Sequence, residues 1–312
     1  MPVAYSMFVE ASNSHLKGID MHSRKRTLVL IAASSILALG LLAGCGAKKT
    51  EDKATEKPAT NQASGSLAIE GSDTMVNLAQ AWAETYGQEN PEAIVTVKGG
   101  GSGTDIASLI NGSVDFANAS REVKDDENTA AQDVNLEIIQ TPVARDGIAV
   151  IVNKANGVKD LTTEQLGKMY RGEITKWKEV GGKDGKIVLL GRDTSSGTYE
   201  FFSEAVVGKD AKYAKTMRSM QSSQAIVDEV KNNPQAIGYV GMGYEDPETV
   251  VLNVDGKAAT ADSVKDGSYA LSRDLYMDSN GEPQGLAKVY LDWILSDAGQ
   301  EIVEQEGFVK LK

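Results

Sequence analysis

From Leu67 onward the chain alternates between short apolar runs and amphipathic helical stretches, joined by loops of glycine, serine and threonine. Leu67-Ala68-Ile69 reads as a strand running into Gly71-Ser72-Asp73-Thr74. Met75, Leu78, Ala79, Trp82, Ala83 and Tyr86 then recur at helical spacing, with Asp73 or Thr74 near the N-cap. Ala93 to Val97 is the next strand, followed by Gly99-Gly100-Gly101-Ser102-Gly103-Thr104 and a helix with Ile106, Leu109 and Ile110 on one face. Ser113 to Ala117 forms another strand, reaching Ala119-Ser120-Arg121 at its carboxyl end. Such alternation implies an α/β fold with a largely parallel sheet, whose ligands sit beyond the carboxyl ends of the strands.

A second unit begins around Arg145. Gly147 to Val152 is an apolar strand, Leu161 to Tyr170 a helix, and Lys186 to Leu190 leads into Arg192-Asp193-Thr194-Ser195-Ser196-Gly197-Thr198. A helix follows over Thr198 to Val206, a strand lies near Tyr269 to Met277, and Gln284 to Glu306 reads as two closing helices.

Three loops thus combine glycine with hydroxyl side chains and run straight into helices. Glycine lets backbone approach a ligand closely, exposed N–H groups at a helix start attract anions, and hydroxyls add donors. With Arg192 opening the third loop, the set fits a tetrahedral oxyanion wrapped by neutral donors. Ser102 and Ser196 can serve as helix caps as well as donors. Both halves contribute loops, so the ligand belongs in a cleft between them.

Composition removes most rivals. The 312 residues suffice for about two domains. The only cysteine is Cys45, and both histidines, His15 and His22, precede it. A chain cut at Cys45 has neither histidine nor free thiol, which excludes His-based nucleophile activation and imidazole or thiolate metal sites. No metal and no cofactor are expected. The glycine loop at Gly99 lacks the Gly-Lys-Ser/Thr ending of a P-loop and the third glycine of a dinucleotide fingerprint. Residues 1–44 carry four basic and two acidic side chains, so the chain total of −12 becomes −14 from Cys45 onward. That balance argues against nucleic acid as a partner, though not against a small anion held by local dipoles.

Arg24-Lys25-Arg26 precedes the uncharged apolar stretch Leu28 to Leu42, which ends in Leu42-Ala43-Gly44-Cys45. A basic segment followed by a short apolar one reads as a secretory signal over residues 1–44. Residues 1–20 match no signal pattern, and Met21 is the more ordinary start. The last four residues of the stretch resemble the lipobox of bacterial lipoproteins, in which the cysteine becomes the acylated first residue. Residues 45–66 then form a flexible tether rich in Lys, Glu, Thr, Ala and Ser.

In this order the loops resemble those of the phosphate-binding proteins of ABC importers (PstS), within the periplasmic-binding-protein superfamily. Leu161-Thr162-Thr163-Glu164-Gln165-Leu166, Tyr170 to Trp177 and Ala236-Ile237-Gly238-Tyr239-Val240 are equally typical. The resemblance implies a two-lobed type II fold, each lobe a mostly parallel sheet flanked by helices. Lobe one would be residues 67–142 plus 269–312, and lobe two residues 143–268. It implies a monomer, lipid-anchored on the extracytoplasmic face, that hands phosphate to membrane permease subunits. Ser72, Asp73, Thr74 and Met75 would line the first loop, Thr74 as hydroxyl and backbone donor and Met75 as backbone donor. Ser102 would give a hydroxyl, Arg192 would pair with the anion, and Ser196, Gly197 and Thr198 would form a donor turn. One position departs: where some members carry Asp after Ala-Ser, this chain has Arg121. Ser120 and Arg121 are then expected as replacement donors and Asp73 as the acceptor of the ligand's proton. A binding protein for sulfate or molybdate, or a lipid-anchored phosphatase, is the alternative.

Overall fold

The computed structural model describes residues 64–312; the signal segment, Cys45 and most of the tether lie outside them. Strand β1 (Gly65–Ser72) starts two residues inside the expected tether and buries Leu67 and Ile69 on one face. A 3₁₀ turn, Asp73–Met75, separates it from α1 (Val76–Glu89), which turns Leu78, Trp82 and Tyr86 inward. β2 (Ala93–Gly100) leads to α2 (Ser102–Ile110), and β3 (Phe116–Ala119) to α3 (Asp125–Asp133).

The 16-residue strand β4 (Ile138–Asn153) follows. Beyond it come β5 (Asp160–Leu161), α4 (Thr163–Tyr170), β6 (Val188–Arg192) and α5 (Gly197–Phe202), which continues as a π turn over Ser203–Val207. Then come β7 (Arg218–Met220), α6 (Ser223–Asn232), β8 (Ala236–Gly241), β9 (Thr249–Val251), β10 (Asn253–Val254) and α7 (Ala261–Lys265). The last elements are β11 (Ser272–Asn280), α8 (Gly285–Ile294) and α9 (Asp297–Gln305).

The main sheet runs β2-β1-β3-β11-β4-β8-β6-β7, with β9 beside β4. Strands feeding the glycine–hydroxyl loops pair in parallel: β1 with β2 and β3, and β6 with β7 and β8. β11 and β4 run antiparallel to each other and carry the chain between the lobes. Val143 and Ala144 join a core with Trp82, Phe116 and Leu275, whereas Ile148, Val150 and Val152 join a second core with Tyr170, Phe202 and Tyr239. On the return, Tyr269 and Leu271 belong to the second core and Leu275 and Met277 to the first. The crossings therefore fall between Ala144 and Ile148 and between Leu271 and Leu275, a few residues beyond the expected divisions at 142/143 and 268/269. The apolar run Gly147 to Val152 is only the second half of β4, because its first half pairs with β11 and keeps polar residues such as Gln140 and Thr141.

Candidate anion-binding site

The three loops converge at the carboxyl ends of β1, β2 and β6, on the seam between the lobes. Thr74, Ser102, Ser120 and Thr198 are fully buried, and Ser72 and Ser196 nearly so. Ser72 donates its hydroxyl to Ser120 at 2.8 Å, and the Ser120 backbone N–H donates to the Ser102 hydroxyl at 3.1 Å. Thr74 meets Thr198 across the seam, hydroxyl to hydroxyl, at 2.7 Å. Met75 is buried at the end of the 3₁₀ turn.

Two glycines allow this approach. A Cβ at Gly101 would overlap Ser195, and the N–H of neighbouring Gly103 donates to the Ser195 carbonyl at 3.1 Å. A Cβ at Gly197 would overlap the Ser102 hydroxyl and lie 2.8 Å from that of Ser120. Ser196 caps α5, accepting from the Tyr199 N–H at 3.4 Å. α2 instead has Gly101 at its N-cap position without a side-chain cap, and Ser102 is its first residue, so the Ser102 hydroxyl is free to serve the cluster.

Arg192 is 1% exposed. Its Nη1 donates to Asp73 Oδ2 at 2.9 Å and to the Ser223 hydroxyl at 3.2 Å, and its Nη2 donates to the Gln221 carbonyl at 3.1 Å. Its Nε is buried without a hydrogen-bond partner in the protein. Asp73 was a candidate helix cap, but α1 begins beyond the 3₁₀ turn with Met75 at the N-cap position and no side-chain cap. The Asp73 carboxylate goes to Arg192 and to the Ser223 N–H, at 2.7 Å. Asp73 also borders a cavity of about 500 Å³ at the seam, with Gly99, Gly100, Gly101, Thr104 and Asp193 among its other walls.

Arg121 corrects the expectation of a free donor. Its guanidinium grips Glu127 with two bonds, at 2.7 and 2.8 Å, donates to the Glu122 carbonyl and pairs through Nε with Glu200. Burial works against its charge, yet Glu127 and Glu200 hold its pKa above the ordinary arginine value. The two carboxylates draw its donors off the hydroxyl cluster.

The sequence reading missed Arg273 and Asp146. They stand opposite each other in the β11–β4 register, and the Arg273 Nε and Nη2 donate to Asp146 Oδ2 at 3.0 and 2.8 Å. Arg273 also donates to the Ser120 carbonyl at 2.8 Å and to the Thr198 hydroxyl at 3.0 Å, tying both lobes to the crossing strands. Burial pushes the Asp146 carboxyl up and the Arg273 guanidinium down, while their mutual attraction opposes both shifts. Ser223, the first residue of α6, was missed too. All three arginines around the cluster face carboxylates, and of the three Arg192 also keeps a buried Nε that its ion pair with Asp73 does not use. Among the described residues, no group of three or more His, Cys, Asp or Glu is placed to hold a metal ion.

Similarity to known proteins identifies the family. The model of the PBP superfamily domain matches residues 56–298. The phosphate-binding protein PstS of Bacillus subtilis (strain 168) is 34% identical over 292 residues, 93% of this chain and 95% of that protein. The chain belongs to the PstS family. Another member, from Staphylococcus saprophyticus, is 33% identical over 90% of this chain and 89% of its own length. Among solved structures, a Clostridium perfringens phosphate ABC transporter substrate-binding protein with bound phosphate superposes with a TM-score of 0.75 at 34% identity. It aligns over 80% of this chain and all of its own. An ABC-type phosphate transport receptor from Vibrio cholerae gives 0.66 at 30% identity, over 78% of this chain and 99% of its own. With these family relatives, the fold is the two-lobed one of periplasmic binding proteins.

Proposed function

We propose that this chain captures inorganic phosphate between its lobes outside the cytoplasmic membrane and delivers it to an ABC importer. The observation that carries the reading is the buried cluster of Thr74, Ser102, Ser120 and Thr198 beside Arg192, supplied by both lobes of a PstS family member. A buried donor set selects an anion by geometry, since any oxygen left without its bonds costs free energy. Ser72, Met75, Ser196 and Gly197 complete the shell, and Asp73 accepts the proton that phosphate keeps near neutral pH. The protein binds and releases its ligand without chemistry. Acylated Cys45 anchors it, and the tether lets the body reach the permease.

Calorimetric titration with phosphate, sulfate and molybdate tests the reading. Tight one-to-one binding of phosphate and weak binding of the other two is the expected result. Equal affinity for all three would replace phosphate by oxyanions at large, and no binding of phosphate would end the proposal.

A further inference from the structure

The hydroxyls of the cluster are fully buried, so an anion reaches them only when the lobes part. Opening must break every contact that crosses the seam. Several lie at the cluster itself, such as Thr74 to Thr198 and Arg192 to Asp73. A further set lies beside it. Arg121 and Lys124, between β3 and α3 on lobe one, both pair with Glu200 of α5 on lobe two. Glu200 is two residues beyond Thr198 on the same short helix, so its position is fixed relative to the donor turn.

This set is prepared in advance on one side. Glu127 holds Arg121 through two bonds and accepts from the Lys124 N–H at 2.9 Å, all within lobe one. Arg121 is thereby oriented with its Nε toward lobe two. Within lobe one Arg121 spends its Nη donors on Glu127 and the Glu122 carbonyl, while its Nε and the Lys124 ammonium find Glu200 only when the lobes meet. Arg121 is 7% exposed and the Glu200 side chain 19%, so solvent and salt screen the pair weakly.

We propose that Glu200, with Arg121 and Lys124, is a closure latch that touches no ligand and sets how long phosphate is held. The inference rests on the phosphate reading above. Glu200, Arg121 and Lys124 are positioning residues: their contacts stabilise the closed arrangement, so they slow release while leaving encounter with the open cleft unchanged.

The test measures phosphate association and release by rapid mixing, using wild type, Glu200→Ala, Glu200→Gln and Lys124→Met. A spin label on each lobe, at Thr129→Cys and Ala205→Cys in a Cys45→Ser background, reports the interlobe distance in saturating phosphate. Glu200→Ala should release phosphate about tenfold faster, between the slight effect of an exposed ion pair and the large one of a buried pair. Association should stay within about twofold, and the distance distribution should extend to longer values. Glu200→Gln, which keeps the shape and loses the charge, and Lys124→Met, at a more exposed position, should fall between. Release within about twofold of wild type for Glu200→Ala would overturn the latch. Faster release with an unchanged distance distribution would also overturn it, pointing to local damage in the α5 turn. Failure of wild type to bind phosphate would instead remove the reading on which the latch rests.

Discussion

Thr74 and Thr198 lie 124 positions apart in the chain, yet their buried hydroxyls meet at 2.7 Å across the seam between the lobes. The pair holds two protons and uses one in their mutual bond. Arg273 donates to Thr198 as well, so one lone pair there is already occupied. One hydroxyl proton is left to point elsewhere, and the linked hydroxyls of Ser72, Ser120 and Ser102, with three protons and two mutual bonds, likewise leave one. Spare donors buried among paired charges are what a multiply charged oxyanion needs, because each bond to a charged acceptor is worth more than one to a neutral acceptor.

Arg192→Ala should cost phosphate binding about 2–5 kcal/mol, the range for removing one member of a desolvated charged contact. Asp73 would keep only the Ser223 N–H and would face the ligand as a less compensated carboxylate. Arg192→Lys should not restore affinity, since an ammonium cannot reproduce the fork that spans Asp73 and the Gln221 carbonyl. Calorimetry with either variant checks this, and near wild-type binding by the alanine protein would place the site elsewhere.

Gly197→Ala should weaken phosphate binding with little loss of stability in the open form. The added methyl would overlap the Ser102 hydroxyl and press on Ser120, both from the opposite lobe. The effect should be about fivefold or more, since overpacking of a close contact typically costs about 1–3 kcal/mol. Unchanged affinity would show that the lobes need not approach this closely around the ligand.

The loops were legible because their information is local: glycine and hydroxyl residues adjoin the strand ends that present them. Arg273 and Asp146 were not, because their pairing depends on the register of β11 against β4, 127 residues away. Arg121 was misjudged for a related reason. One of its carboxylates, Glu127, stands on α3, whose weakly apolar sequence gave no helical signal, and the other, Glu200, arrives from the opposite lobe. The continuity of β4 was hidden because only its second half is buried enough to read as an apolar run.

Stability should fall as pH rises from about 4 toward 7. Burial pushes the Asp278 carboxyl up to about 7, with the Gln140 amide and Arg121 opposing the shift, and burial together with Glu70 pushes Asp105 up to about 6. The folded state therefore keeps protons that the unfolded chain has already released, and stability is lost across that window. Asp278 has no exposure, and its Oδ2 has no hydrogen-bond partner. Asp278→Asn should raise the melting temperature relative to wild type more at about pH 8 than at about pH 5, by several degrees. A difference independent of pH would show that Asp278 does not titrate in this range.

Cys45→Ser should release the protein from the membrane fraction into the medium or periplasm. Among the described residues no helix is long and apolar enough to cross a bilayer, and the anchor proposed here is the lipid on Cys45. Fractionation of cells expressing each form checks this. A variant that stays with the membrane through Leu28 to Leu42 would show that the signal segment is retained.

Asp73→Asn addresses discrimination between anions. Phosphate near neutral pH still carries a proton to donate, whereas sulfate has none, so a carboxylate beside the site accepts from one and repels the other. Asp73 is suited to this part: Oδ2 is held by Arg192 and the Ser223 N–H, and the residue borders the seam cavity beside the glycine loop. Asp146, another carboxylate near the cluster, accepts from Arg273 through one oxygen and from the Met242 N–H through the other, which leaves it no reach toward a ligand. Removing the charge at Asp73 should weaken phosphate by about tenfold or more and strengthen sulfate, so the ratio of their affinities narrows on both sides. Titration of the variant with each anion measures that ratio directly. A ratio equal to wild type would move the acceptor to Asp193, whose carboxylate already takes the Ser195 N–H at 2.9 Å, or to a backbone carbonyl.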